Sequence, residues 1–304
     1  MDKLSIDFPQ STYRDDADFE SADSYFALGD LENAKRGFLD FVDDHGSSPY
    51  KPIIYNKLGL IYETQNQYNE SATWYKKTIT EFSGTPSANS AVKALERVYL
   101  ATGQPQAFLD FINSQSGITL NESKKDSLLF TNAMNLYNAN DYQKAVEAFE
   151  DYLSEFSRGF HHLEVNLYTA ECYFELGKSE NNTSYFNTAL PYYQTVISQG
   201  SGAQLETALV RAGFVTFNRQ QNYSLAQQYY KRLSEIGGVQ SNVELALEGY
   251  LRSSIELQDH DGIIIASEKI QQTNGMAKDI QDLALFSSAK AYYKKGDIQT
   301  AQSM

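Results

Sequence analysis

The chain has 304 residues, of which 41% are hydrophobic, enough to form a substantial core. Its net charge of −14 gives an acidic surface that repels phosphate backbones, which argues against binding to nucleic acids. No apolar stretch is long enough to span a membrane, and a single cysteine, Cys172, excludes an internal disulfide. Cys172 is expected to lie in the core.

A repeat of 37 residues runs through the first half of the chain. Its markers are equally spaced, and each is followed three positions later by tyrosine or leucine: Ala22, Gly59, Glu96, Ala133 and Ala170. A fixed period of about 20–50 residues is typical of a solenoid, in which each unit buries its apolar face against its neighbours. The repeat predicts an all-α fold of about seven helical hairpins and a partial eighth, stacked in one elongated body.

The first hairpin is predicted to begin at Phe19, after residues 1–18, which form the tail of a preceding unit or a linker. Asp15 and Asp16 precede or open a helix, where negative charge complements the helix dipole. A turn should follow at Gly29, because glycine and asparagine tolerate the left-handed conformation that ends many helices. The same prediction covers five equivalent positions: Gly29, Asn66, Gly103, Asn140 and Gly177.

The later hairpins are less regular. The third has Pro105 in its turn and lacks the small residue found elsewhere in the second helix. Seven additional residues separate Gly177 from Ala189, which predicts an insertion in the turn or an extension of a helix end. The seventh hairpin, roughly residues 247–270, is the least typical. The solenoid is predicted to cover residues 19–304 and to be truncated within its last unit.

No pattern typical of catalysis or of metal binding is present. His161 and His162 are expected in a solvated linker rather than in a metal site. Asp259, Asp261 and Gly262 partly match a calcium-binding loop, but Leu257 occupies the first ligand position, so a turn between helices is the better interpretation. We therefore predict no metal, no cofactor and no enzymatic activity.

The motif from Ala22 to Phe38, Ala-(x)2-Tyr-(x)3-Gly-Asp-Leu-(x)2-Ala-(x)3-Phe, resembles the tetratricopeptide repeat (TPR). The resemblance implies a TPR α-solenoid coiled as a right-handed superhelix. The segments between units, Phe8-Pro9-Gln10-Ser11 and Phe82-Ser83-Gly84-Thr85-Pro86-Ser87, are similar to linkers of bacterial envelope TPR proteins. Examples are the TolA-binding cell-division coordinator and the outer-membrane-assembly lipoprotein.

In TPR proteins the first helix of each hairpin lines a concave groove, and the resemblance transfers that role to particular positions of this chain. The alternative is that many of these side chains pack against neighbouring helices. The predicted groove residues are Phe19, Asp23, Asn56, Lys93, Arg97, Met134, Tyr137, Glu171, Phe174, Arg211, Tyr250 and Tyr293.

These observations predict a non-catalytic scaffold that binds a protein or peptide partner, in a bacterial cell-envelope assembly. The envelope resemblance favours the periplasm or cell envelope over the cytoplasm. The alternative function is a carbohydrate-binding or enzyme-accessory module whose chemistry lies in another part of the protein, because groove aromatics can stack on sugars. The sequence makes no prediction of the oligomeric state.

Overall fold

The computed structural model describes residues 13–304, and all of its regular elements within that range are helices. Between residues 13 and 304, sixteen helices form eight hairpins, in which odd-numbered helices come first and even-numbered helices second. Their bounds are α1 Arg14–Ala27, α2 Leu31–Asp44, α3 Lys51–Thr64, α4 Tyr68–Glu81, α5 Pro86–Ala101, α6 Pro105–Ser114, α7 Glu122–Asn138, α8 Tyr142–Glu155, α9 His162–Ser179, α10 Thr183–Gln199, α11 Gly202–Asn218, α12 Tyr223–Ile236, α13 Gln240–Glu256, α14 His260–Gln272, α15 Lys278–Lys294 and α16 Ile298–Ser303. The predicted all-α solenoid is confirmed.

The hairpins are grouped into two compact units. The N-terminal unit extends to Leu128 and the C-terminal unit begins at Leu129, so the division falls within α7. In the N-terminal unit α3 packs against both α4 and α5. In the C-terminal unit consecutive first helices also meet, because α11 packs against α9 and α13.

The second helix of the first hairpin shows how the sequence forms these elements. Asp30 caps α2 by accepting a hydrogen bond from the Asn33 backbone N–H at 3.2 Å, which satisfies a donor that has no partner within the helix. Ala34, Phe38 and Phe41 then recur at helical spacing and are buried against α1 and α3. A capped helix with one apolar stripe therefore forms the centre of this hairpin.

Four of the five predicted left-handed turn residues are confirmed. Their φ angles are 79° at Gly29, 57° at Asn66, 67° at Gly103 and 59° at Asn140. Each lies just after a first helix, where the chain reverses into the second helix. Alternation of glycine and asparagine at this position is thus a reliable marker of the hairpin turn in the first four hairpins.

The prediction for Gly177 is wrong. This residue lies inside α9, which continues to Ser179, and Asn181 takes the left-handed conformation instead, with φ of 49°. A Cβ at Gly177 would lie 3.0 Å from the Phe186 ring, so glycine is needed there for close packing rather than for a turn. The additional residues before Ala189 lengthen α9 and α10, as the helix-extension interpretation predicts.

Two other expectations differ from the structure. Helix α1 begins at Arg14, before the predicted start at Phe19, and Asp15 and Asp16 occupy its first turn, where they complement the helix dipole. His161 and His162 lie at the start of α9 rather than in a solvated linker, and the His161 ring stacks on Phe130 with 3.9 Å between ring centroids. The linker motif at residues 8–11 and the predicted tail up to residue 12 lie outside the described residues.

A valine at Gly29 should destabilise the N-terminal unit by about 1–2 kcal/mol, because a Cβ strains a left-handed backbone. No atom lies within 4 Å of the added Cβ, so strain rather than steric contact is tested. Gly46→Val is the matched control, since Gly46 has open space and an ordinary φ angle. Equal thermal unfolding of the two variants would contradict this explanation.

Candidate functional site

The exposed side chains of the first helices form the candidate site, and we call this surface the first-helix face of each unit. In the N-terminal unit it comprises α1, α3 and α5. In the C-terminal unit it comprises the part of α7 from Leu129 onward, with α9, α11, α13 and α15. The two faces are described separately below.

The first-helix face of the N-terminal unit contains an apolar pocket of about 360 Å³. Helix α1 contributes Phe26 and α3 contributes Ile53 and Leu60, while Ser87 and Ser90 of α5 form the opposite wall. Ile53 and Leu60 are 41% and 38% exposed, so two large aliphatic side chains are open to solvent on one face of α3, two helical turns apart. We call this cavity the first-helix pocket.

One wall of the first-helix pocket is fixed by a hydrogen bond. The Asn56 amide donates to the Ser87 carbonyl oxygen at 2.9 Å and so connects α3 to α5. The Asn56 Oδ1 atom is buried and accepts no hydrogen bond in the structure. Asn56 was predicted in the groove from the TPR resemblance, and it lines the pocket.

Lys57 lies between a carboxylate and an aromatic ring at the edge of this pocket. Its Nζ atom is 2.5 Å from Asp23 Oδ1 and 4.4 Å from the centroid of the Phe26 ring. Both contacts come from α1, so the ammonium group of α3 is held by the preceding first helix. The ion pair and the cation–π contact leave Lys57 largely neutralised by its own unit.

Arg97 is neutralised in a similar way one helix further on. Its Nε and Nη2 atoms donate to the two Glu63 oxygens at 2.5 and 2.7 Å, a bidentate pair between α5 and α3. The Tyr75 hydroxyl donates to the same carboxylate at 3.1 Å. Burial raises the pKa of Tyr75 above its ordinary value, and the nearby negative charge of Glu63 adds to that shift. The phenol therefore stays protonated and remains a donor.

The C-terminal unit contains a more deeply buried version of this network. Glu171 accepts a hydrogen bond from the Tyr193 hydroxyl at 2.6 Å and from Arg211 at 3.1 Å. The Arg211 guanidinium also covers the Phe174 ring, 4.3 Å from its centroid. Burial, followed by the charge of Glu171, raises the pKa of Tyr193 well above its ordinary value. The carboxylate thus joins α9, α10 and α11.

The two units repeat one arrangement at equivalent positions. Asp23 and Glu171 each follow the small repeat marker by one residue, and Phe26 and Phe174 follow it by four. In each unit the next first helix supplies the cation, Lys57 on α3 or Arg211 on α11. Each cation lies two residues before a glycine, Gly59 or Gly213, that packs on a tyrosine ring. A carboxylate and an aromatic ring therefore hold one cation of the face in each unit.

The structure divides the other predicted groove residues between core and surface. Phe19, Phe174 and Tyr250 are buried, so their side chains belong to the core and not to the exposed face. Met134 and Tyr137 are partly buried, and burial together with Glu171 raises the pKa of Tyr137 to about 12. Lys93 is exposed on α5, and Tyr293 is 61% exposed on α15. The ligand-binding role of all these residues remains a prediction.

Three residues of these networks were not predicted as site residues: Lys57, Tyr75 and Tyr193. A signal for one of them is present in the sequence. Lys57 follows Asp23 by 34 residues, and Arg97 follows Glu63 by the same interval. Paired opposite charges at the interval between neighbouring first helices could have indicated the ion pairs.

Residues 13–304 contain no cluster of three metal-ligating side chains, and no helix among them is long and apolar enough to cross a membrane. Asp259 caps α14 by accepting from the Gly262 N–H at 3.1 Å, in agreement with the turn interpretation. Cys172 is buried, and burial raises the pKa of its thiol to about 12, so it is an unreactive core residue.

A comparison with protein families agrees with this architecture. The family model for the tetratricopeptide repeat matches residues 19–86 and 130–202. The two matched segments cover just under half of the chain, and they support tetratricopeptide repeats as its building units. Tetratricopeptide repeats generally mediate protein–protein interactions. No match was found among curated proteins.

Several solved structures are similar to this chain. A TPR protein from Parabacteroides merdae is 12% identical, with 90% of this chain and 98% of that one covered and a TM-score of 0.33. The C-terminal part of a TPR protein from Cytophaga hutchinsonii is 14% identical, with 87% and 98% covered and a TM-score of 0.42. A monomeric IFIT1 mutant with Gppp-AAAA is 13% identical, with 99% and 73% covered and a TM-score of 0.37.

All three TM-scores are below 0.5, so these similarities carry no information about the function of this chain. The expectation from net charge that nucleic acids do not bind stays a prediction. The envelope resemblance of the linker also stays a prediction.

Proposed function

We propose that the chain is a non-catalytic scaffold that binds a protein or peptide partner through the first-helix face of its N-terminal unit, within a bacterial cell-envelope assembly. The first-helix pocket is the observation that carries this proposal. It combines about 360 Å³ of space with exposed aliphatic side chains at Ile53 and Leu60. Pockets that accept an apolar side chain are where binding energy concentrates in protein interfaces.

The geometry favours a protein partner over a carbohydrate. Sugars stack on open aromatic faces, but the aromatic ring of the pocket, Phe26, is partly buried and has the Lys57 ammonium 4.4 Å from its centroid. Ile53 and Leu60 instead offer exposed aliphatic side chains to the pocket. They suit the side chain of a leucine, isoleucine or phenylalanine.

A glutamate at Leu60 should abolish partner binding without unfolding the unit. Leu60 is partly exposed, so the change should cost little stability, whereas a charge in the pocket opposes burial of an apolar side chain. We expect the affinity for the isolated partner to fall at least tenfold, the range typical of a binding hot spot. Quantitative affinity purification from source cells, followed by titration of the purified partner, measures the effect.

Leu28→Glu is the matched control, because Leu28 is 81% exposed and does not line the pocket. Both variants should show the same helical content and melting temperature. If a partner bound Leu60→Glu and the unchanged protein equally, its binding surface would lie outside the first-helix pocket, and the proposal would be contradicted. A glycan that binds in a Leu60-dependent manner, with no protein partner, would replace the proposed ligand class.

The envelope assignment rests on the linker at Phe82–Ser87, in which Thr85 caps α5 and Pro86 occupies its first turn. Fractionation of the source cells, with detection by an antibody to this chain, tests it. The proposal expects the protein in the periplasmic or envelope fraction. Recovery in the cytoplasmic fraction would contradict the location and leave the partner-binding surface as a separate question.

A further inference from the structure

We infer that the segment bound in the first-helix pocket carries a side-chain carboxylate close to its apolar side chain, and that this carboxylate pairs with Lys93. The inference rests on the proposed function and identifies the partner chemistry at the same pocket. It follows from the cations of α1, α3 and α5, among which Lys93 is the one without a partner in the described residues.

Nearly all cations of α1, α3 and α5 already have partners within their own unit. Arg14 pairs with Asp44, and Lys51 donates to the Gly46 carbonyl oxygen at 3.0 Å. Lys57 is held by Asp23, and Arg97 by a bidentate contact to Glu63. At Arg14, Lys57 and Arg97 a ligand carboxylate would have to displace an existing ion pair, so little electrostatic energy would be gained. Lys51 is already held by a carbonyl oxygen.

Lys93 differs from these residues. It is exposed, and within the described part of the chain it has neither an ion pair nor a hydrogen bond from its side chain. It follows Ser90, a wall residue of the pocket, by one helical turn on α5. Side chains of a helix lean toward its N-terminus, so the flexible Lys93 side chain is within reach of Ser90 and the pocket edge.

Charge complementarity therefore selects the occupant. An apolar side chain fills the space between Ile53, Leu60 and the α5 wall, and a carboxylate beside it meets Lys93. The distance from Ser90 to Lys93 along α5 is about 4.5 Å at 1.5 Å per residue. An extended segment advances about 3.3 Å per residue, so the acidic residue should lie one to three positions from the apolar one.

A random dodecapeptide library displayed on phage, selected on the whole chain, tests this inference. We expect the retained peptides to share an apolar residue with aspartate or glutamate one to three positions away. A synthetic peptide of the selected sequence should bind Lys93→Glu about fivefold more weakly than the unchanged protein, since exposed ion pairs are individually modest. Replacing the acidic residue of the peptide with lysine should restore binding to Lys93→Glu.

Lys231→Glu is the control for net charge, because Lys231 is exposed on α12 of the other unit. It should leave the affinity unchanged. Peptides that depend on Leu60 but show no acidic preference, or that bind Lys93→Glu as well as the control, would overturn this inference and leave the proposed function standing. Retention of no peptide, or retention that is unaffected by Leu60→Glu, would contradict both.

Discussion

Replacing Glu171 with alanine should lower the free energy of unfolding of the C-terminal unit by roughly 2–3 kcal/mol. The carboxylate is buried and accepts from both Tyr193 and Arg211, so its removal leaves a buried phenol and a half-buried guanidinium without an acceptor. The expected cost is below that of a fully enclosed ion pair because a third of the Arg211 side chain reaches solvent. Denaturant titration followed by circular dichroism measures the effect.

Two further variants separate this network from a general effect of removing a glutamate. Glu175→Ala deletes a carboxylate that pairs with Lys178 on the same helix, and should cost no more than about 0.5 kcal/mol. The triple variant Glu171→Leu, Tyr193→Phe and Arg211→Met removes donors and acceptor together, and should recover most of the lost stability. A triple variant less stable than Glu171→Ala would show that apolar packing cannot replace the network.

Leucine at Gly59 should destabilise the N-terminal unit by about 2–3 kcal/mol through overpacking. A Cβ at this position would lie 2.6 Å from Cε1 of the Tyr75 ring, which is almost completely buried and also donates to Glu63. The ring cannot move away without disturbing the Glu63–Arg97 pair. The variant should therefore also weaken the contact between α3 and α5.

Gly46→Leu is the matched control, because no atom lies within 4 Å of a Cβ at Gly46. It should change the free energy of unfolding by less than about 0.5 kcal/mol. Thermal unfolding of both variants gives the comparison. If Gly59→Leu were as stable as Gly46→Leu, the close approach of α3 to Tyr75 would not limit the packing of this hairpin.

The turns illustrate how far local sequence signals extend. Gly29, Asn66, Gly103 and Asn140 were placed correctly because few residues tolerate a left-handed backbone, so the requirement is visible in the sequence itself. Position 177 is also a glycine, but for another reason: the Phe186 ring packs closely against it. A glycine that supplies backbone freedom and a glycine that supplies space cannot be told apart without the neighbouring helix.

The candidate site, like the turns, was predictable from the sequence only in part. The TPR resemblance indicated the first helices, and it placed Asn56, Lys93 and Arg97 among the positions that could face a ligand. It also included Phe19, Phe174 and Tyr250, which the structure buries. Whether an aromatic side chain on a first helix faces solvent depends on the helices packed beside it, and helical spacing within one segment does not contain that information.

The sequence by itself determined the hairpin architecture, because small residues, large rings and turn residues recur at a fixed interval and each unit can bury its apolar face only against the next. It also determined that the surface is acidic. Only the tertiary structure decided which charged side chains have no partner within the protein and can pair with a ligand. Asp23 with Lys57, and Glu171 with Arg211, are 34 and 40 residues apart and meet because consecutive first helices pack side by side. Such pairing neutralises Lys57 and Arg97 on the N-terminal face and leaves Lys93 without a partner in the described residues. An ion pair depends on distances in space rather than along the chain.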